Sequence, residues 1–305
     1  MAITASAVKE LREMTGAGMM DCKKALAEND GDLQKAAEYL KIKGIAKADK
    51  KADRVAAEGL VGTWVSEDRK TGAMIEVNCE TDFVARNEAF EGFVSELVAH
   101  VAATGITDID ALLASDLGGR PVEEVRKERV AGTGENITLR RAALLKAEGD
   151  GFVGEYVHMG GAIGVLVQFG AEGSVPGASA EELGRDVAMH AAAMAPHFTR
   201  ESEIDENVVE NEKRVLTEQA MEEGKPAEIV EKMVIGRIRK WRKEICLVDQ
   251  PFVKNPDVTI QGEIDRVAKE AGARITLEGF TRFARGEGIE KKESNLAEEV
   301  AATLK

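Results

Sequence analysis

Hydrophobic positions change period several times along this chain, and each change predicts an element. Ile75, Val77 and Cys79 alternate with Glu76, Asn78 and Glu80, the two-residue period of a half-buried β-strand. Phe90, Phe93, Val94, Leu97, Val98 and Val101 then recur at three- and four-residue spacing, which predicts a helix with Asn87 as its N-cap. Between them stands Thr81-Asp82-Phe83, a polar, acidic and aromatic corner. Its ring is either tucked under the connection or offered outward.

Upstream, residues 3–43 read as three short helices. The first places Ile3, Val8, Leu11 and Met14 on one face, opens at Thr4 or Ser6 and breaks at Gly16-Ala17-Gly18. The second carries Met19, Cys22, Ala25 and Leu26 and stops near Asn29-Asp30-Gly31; the third starts from Asp32 as N-cap and runs to Ile42. A module this small has a thin core and suits binding better than catalysis. From Lys41 to Arg54 the chain is basic and poor in large apolar residues, so it reads as a linker, with an RNA-binding patch as the lesser alternative.

An internal duplication follows. Gly59–Val65 resembles Gly151–Val157, Gly72–Val77 resembles Gly161–Leu166, and Leu97–Ala103 resembles Val187–Ala193. Each copy reads strand, turn, strand, connection, helix, and a spacing of about ninety residues implies paired subdomains rather than a solenoid. Val122, Val125 and Val130 mark a charged helix, and Ile137 to Leu145 a strand that completes the first sheet. After Pro196, two charged helices joined by Gly224-Lys225-Pro226 form a hairpin, either packed on the body or serving as a surface for homodimerisation or a partner. Helix is expected over Val258–Lys269, strand over Ala273–Phe283, and a last helix over Leu296–Leu304. The fold class is therefore α+β with antiparallel sheets. The division is 1–44 (three helices), 45–56 (basic linker), 57–148 (first core subdomain), 149–197 with 247–285 (second), 198–246 (inserted hairpin) and 286–305 (C-terminal module).

Composition narrows the function. The 305 residues carry a formal net charge of −14 and only 4% aromatic residues, which opposes binding of nucleic acid or anionic membrane by the whole surface. The three cysteines are far apart with no CxxC pair, as in a reduced compartment. Met1 to Ser6 lacks a basic, then apolar, secretory pattern, and no stretch reaches membrane-span length, so the cytoplasm is the expected location.

Candidate chemistry is sparse. Glu76, Glu80, Asp82 and His158 could in principle hold a divalent cation for a hydrolase, but Glu76 and Glu80 fall on the polar phase of their strand, where a solvated face is the ordinary explanation. Of the four histidines, His100 and His190 occupy matching places in the two copies, which favours a structural role. The glycine-rich pieces Gly16-Ala17-Gly18 and Met159-Gly160-Gly161 lack the context of a phosphate loop. No active site, cofactor or resident metal is expected; the profile is that of a non-enzymatic protein that grips another protein.

Two long stretches carry a resemblance. Val8 to Leu26 (VKELREMTGAGMMDCKKAL) and Glu76 to Arg86 (EVNCETDFVAR) resemble the two signatures of bacterial elongation factor Ts. Tyr156-Val157-His158, Ile163–Val167, Gln250–Val253 and Gly286–Lys291 also match, in order, over nearly the whole chain. The resemblance implies a guanine-nucleotide exchange factor for elongation factor Tu in translation elongation. It implies a ubiquitin-associated-like N-terminal module, a core of two related subdomains, a coiled-coil-like hairpin and a C-terminal module. It further implies that Thr81, Asp82, Phe83 and Val84 wedge against the nucleotide domain of Tu and dislodge its Mg²⁺, the ring entering a pocket between helices. Met19 and Met20, and His158 and Met159, are implied as further contacts. The segment around His158 reads longer than in some relatives, and Trp64 to Thr71 also looks lengthened, which should extend a hairpin.

Overall fold

The computed structural model describes residues 3–224 and 226–290. Three helices come first: α1 (Ala5–Thr15), α2 (Met19–Glu28) and α3 (Leu33–Asp49). The first subdomain holds β1 (Glu58–Val65), β2 (Thr71–Cys79), α4 (Asp82–Ala85), α5 (Glu88–Thr104), α6 (Ile109–Ala114), α7 (Val122–Thr133) and β3 (Thr138–Lys146). The second opens with β4 (Phe152–His158), β5 (Ile163–Glu172) and α8 (Gly177–Met194). A hairpin of α9 (Glu206–Glu222) and α10 (Ala227–Ile245) follows. The chain then returns through β6 (Pro251–Phe252), β7 (Asn255–Thr259), α11 (Ile260–Ala271) and β8 (Arg274–Ala284). The fold is mixed helix and antiparallel sheet.

Local chemistry accounts for the helix ends. Thr4 accepts the Ala7 N–H at 3.2 Å to open α1, and Gly16, at φ 66°, closes it. Asp32 Oδ1 accepts the N–H groups of Gln34 and Lys35, both at 3.0 Å, to open α3. Val8, Leu11, Cys22, Ala25, Leu26 and Ala36 form the small core of the helical module. Met14, expected on that face, is instead exposed: it lies in the last turn of α1 and lines a groove toward Arg120, Ala131 and Gly132.

Helix α3 runs past residue 44, to Asp49, and packs along α7. Several cations of the basic run form ion pairs or hydrogen bonds while staying partly exposed at the surface. Lys41 pairs with Glu124 at 2.9 Å, Lys43 with Glu28 at 3.6 Å, and Arg54 with Glu80 at 2.8 Å, while Lys51 donates to the Gly134 carbonyl. Acidic partners on α2, α7 and the end of β2 supply the attraction that lysines and arginines in a free linker would lack.

Each subdomain has one three-stranded sheet, in the orders β1-β2-β3 and β4-β5-β8. Their registers superimpose. Val65 pairs with Gly72, and its counterpart Val157 with Gly164, so Gly72 corresponds to Gly164 rather than to Gly161 as the sequence similarity suggested. The bulges fall at equivalent places, after Glu76 and after Gln168. Helices cover one face of each sheet, with Phe93, Val94 and Leu97 over the first and Leu183, Val187 and Ala191 over the second. The other faces pack back to back through Val61, Met74, Val153, Leu166 and Phe283. A Cβ on Gly164 would lie 2.5 Å from Val61, and one on Gly72 would lie 2.6 Å from Val153, the same contact made in both directions. The turns follow the same symmetry: Val153 N–H donates to the Arg69 carbonyl at 2.7 Å and Val61 N–H to the Gly161 carbonyl at 2.8 Å. Each β-hairpin tip is thus docked on the other sheet, so neither the 66–70 turn nor the 158–162 turn is a free extension.

This packing overturns the expectation for Glu76. β2 is the central strand of its sheet and is buried on both faces, so the polar phase is not solvated; Glu76 and Asn78 are both fully buried. The Glu76 carboxylate accepts from Arg141 Nε at 2.6 Å, Arg140 Nη1 at 3.0 Å, Asn78 Nδ2 at 3.1 Å and the Gly286 N–H at 2.8 Å. Arg140 is the residue left unpaired by the bulge in β3, which frees its side chain for this role. Arg141 also reaches the Ala284 carbonyl at 3.1 Å and lies over the Phe283 ring at 4.2 Å. The end of β8 is therefore fastened to the first sheet around the Glu76 carboxylate, with Arg141 reaching Ala284 directly and Arg285 pairing with Glu58 at 3.1 Å. Gly286 is required there: at φ 68°, an added Cβ would sit 2.2 Å from the Ala57 carbonyl oxygen.

The α9–α10 hairpin closes on Leu216, Ala220, Val230, Val234 and Ile238. The helix expected from Val258 begins at Ile260, because Asn255–Thr259 pairs with β6 as a strand and Thr259 then caps α11. The short 109–114 helix is opened by Asp108, whose Oδ1 accepts the Ala111 N–H at 2.9 Å. The helix expected over Leu296–Leu304 lies outside the described residues. Among those residues no helix is long and apolar enough to cross a membrane.

Candidate functional site

The corner after β2 is built from both ends. Thr81 caps α4, its Oγ1 accepting the Val84 N–H at 3.4 Å. The same hydroxyl donates to Glu135 Oε1 at 2.6 Å. Glu135 Oε2 accepts the N–H groups of Glu80 at 3.1 Å and Thr81 at 3.0 Å. In exchange, Glu80 Oε1 accepts the Asn136 N–H at 2.5 Å. Cys79 donates its thiol hydrogen to the Thr81 carbonyl at 3.1 Å; burial, assisted by the Glu135 charge, pushes its pKa up to about 12, so it remains a thiol. At the far end Ala85 is buried, Asn87 accepts the Ala89 N–H at 2.8 Å, and α5 begins.

Above that frame the ring is offered outward. Phe83 is 84% exposed, on a single helical turn anchored by its neighbours. Val84 packs against the core, and Asp82 forms an ion pair with Arg86 at 3.0 Å on the surface. The Phe83 ring therefore makes little packing contact within this chain.

The other candidate residues occupy separate elements. Met19 and Met20, 58% and 76% exposed, stand in the first turn of α2. His158 ends β4, with Nδ1 3.2 Å from the Tyr156 hydroxyl. Met159 follows at φ 47° and is 79% exposed. Their turn rests on Leu60 and Val61 of β1, the Val61 N–H donating to the Gly161 carbonyl at 2.8 Å.

The alternative cation cluster does not assemble. Glu76 is consumed by Arg140 and Arg141, Glu80 by Arg54 and Asn136, and Asp82 by Arg86. Among the described residues no three His, Cys, Asp or Glu side chains are grouped to hold a metal. His190 is buried, with Nε2 2.9 Å from Gln250 Oε1 and Nδ1 accepting the Val253 N–H at 3.2 Å. Burial lowers its pKa against the opposing Gln250 bond, which keeps it neutral. His100 bonds Ser115 at 2.7 Å, so the matched pair of histidines serves packing. Sequence reasoning missed Glu135: it lies 54 residues from Thr81, and nothing in its own neighbourhood distinguishes it from the chain's other glutamates.

A family model described as Elongation factor TS matches residues 80–287, from the start of this corner to the turn that fastens β8. The chain belongs to that family. Relatives named elongation factor Ts extend the similarity to the whole length. One from Clostridium perfringens is 52% identical over 300 residues, covering 98% of each chain. Another from Clostridioides difficile is 51% identical over 304 residues and 99% of each. One from a Nitratiruptor species is 48% identical over 305 residues and all of both chains. The family's similarity thus takes in the helical module and Met19–Met20 as well as the corner.

Proposed function

We propose that this chain is a cytoplasmic guanine-nucleotide exchange factor of translation elongation, which binds elongation factor Tu, dislodges its Mg²⁺ and promotes GDP release without covalent chemistry of its own. The observation that carries the reading is Phe83, 84% exposed on a braced turn in a member of the elongation factor Ts family. A ring presented in this way supplies apolar contact at low entropic cost. Asp82 beside it brings a negative charge toward the partner's metal and phosphate region. Losing Mg²⁺ removes a large electrostatic attraction for the nucleotide phosphates. We read α1–α3 as a module of the ubiquitin-associated kind, with Met19 and Met20 as an anchor on the nucleotide domain.

Linkage fixes the test. Whatever factor lowers GDP affinity in the ternary complex lowers the affinity of this chain for Tu by the same factor. Calorimetric titration of the chain into nucleotide-free Tu and into Tu·GDP should give tighter binding to the former, and equal affinities would refute exchange. Met20→Ser should raise the dissociation constant for nucleotide-free Tu by about tenfold, the effect of removing an apolar anchor worth roughly 1.4 kcal/mol. An unchanged constant would place the anchor elsewhere.

Self-association through the hairpin is part of the same proposal. Met221, Ile229 and Ile235 are exposed on its two helices. Sedimentation coefficients that rise with protein concentration would support it, and a constant monomer value would argue against it.

A further inference from the structure

We propose that Glu135 is a positioning residue for nucleotide exchange, acting through Thr81 to hold Phe83 in its projecting orientation. The inference rests on the reading of Phe83 as the wedge. A helix of four residues, Asp82–Ala85, has almost no stability of its own, so its direction is set by what grips its ends. The grip at its start is the Glu135 carboxylate, whose two oxygens take two backbone N–H groups and one hydroxyl from residues 80 and 81.

The hydroxyl makes this more than a tether. Thr81 has a single O–H proton. Spending it on Glu135 Oε1 turns the oxygen's lone pairs toward the Val84 N–H, the bond that caps α4. The carboxylate therefore fixes the rotor that starts the helix bearing Phe83. Glu80 returns the contact by accepting the Asn136 N–H. Asn136 in turn donates to the Ala52 and Arg54 carbonyls at 3.2 and 2.8 Å, and Arg54 pairs with Glu80. Three segments distant in sequence, 51–54, 79–81 and 134–136, interlock beneath the corner.

The second subdomain provides an internal comparison. There the chain leaves β5 through Gly173, whose N–H is accepted by Asp150 at 3.2 Å. A carboxylate again holds the backbone, but the residue in the place of Thr81 is Gly173, which has no side chain to bond the carboxylate or cap a helix, and the next helix starts only at Gly177. The hydroxyl–carboxylate bond occurs in the copy that presents the ring.

The test is stopped-flow release of fluorescent GDP from Tu over a series of concentrations of the full chain, which separates the maximal rate from the half-saturating concentration. Glu135→Ala should lower the maximal rate by about tenfold or more while moving half-saturation by less than about threefold, since a misdirected wedge still docks. Glu135→Gln, which keeps an acceptor oxygen, should recover part of the rate. In a Phe83→Ala background Glu135→Ala should have no further effect on the maximal rate. An equal loss in both backgrounds, a loss confined to half-saturation, or no loss at all would overturn the inference and leave the wedge intact. If Phe83→Ala alone changes nothing, the wedge reading fails and the inference with it. Thr81→Val removes the hydroxyl and leaves the carboxylate; it should reproduce the Glu135→Ala rate defect and serves if that variant does not fold.

Discussion

Replacing Phe83 with alanine should slow GDP release from Tu by about 30-fold or more, the kinetic equivalent of losing an aromatic contact worth roughly 2 kcal/mol. The same substitution should leave the fold within about 0.5 kcal/mol of the parent, because a side chain 84% exposed makes few contacts to lose. Separation of the two effects is the point of the experiment. Thermal unfolding and circular dichroism report the stability, and fluorescent-GDP release the exchange. A slow variant that is also unfolded would say nothing about the wedge. A folded variant that releases GDP at the parental rate would remove Phe83 from the mechanism. Asp82→Ala should be milder for stability still, since its ion pair with Arg86 is on the surface and worth little.

Glu76→Ala should have the largest effect on stability, about 3 kcal/mol. Breaking a buried ion pair by removing one partner costs about 3–5 kcal/mol, and the lower end applies because Arg140 and Arg141 keep some access to water. The variant also releases the Gly286 N–H and loosens the attachment of β8 to the first sheet. Burial alone would raise the Glu76 pKa. The Gly286 N–H, Arg141, Asn78 and Arg140 outweigh it and hold the carboxyl below the usual range. A carboxylate depressed in the folded state contributes stability that is complete above the unfolded value, about 4.3, and is lost as pH falls through the lower folded value. Denaturant midpoints of the parent and Glu76→Gln should therefore differ at pH 7, start to approach each other as pH falls below the unfolded value of about 4.3, and meet only once pH is below the depressed folded value. A gap that stays constant with pH would show that the charge of Glu76 does not hold this junction.

Much of this fold was legible as pattern. The helical spacing of Phe90 to Val101, the caps Thr4, Asp32 and Asn87, and the repeated strand–turn–strand units all have local causes, and local causes are written locally. The failures share one origin. Glu76 looked solvated because alternation assumes that one face of a strand meets water, whereas β2 has a helical layer on one face and a second sheet on the other. The ion pairs of Lys41 and Arg54 have no local signal either, because Glu124 and Glu80 are distant from them in sequence. By residue type Gly72 matches Gly161, and only hydrogen-bond register shows that Gly164 is its counterpart. The corner itself was found because Thr81-Asp82-Phe83 interrupts a strand-to-helix passage with a bulky ring. That the ring is offered rather than tucked depends on Glu135, and no sequence pattern points to it.

A chain that catalyses exchange must act on many Tu molecules in turn. Tu loaded with fluorescent GDP is mixed with excess unlabelled GDP and a few hundredths of an equivalent of this chain. Every Tu molecule should lose its label faster than it does alone, in a single phase whose rate rises with the amount of chain. Label release at the unaided rate, or release limited to the small fraction of Tu matched by the chain, would contradict catalysis of exchange.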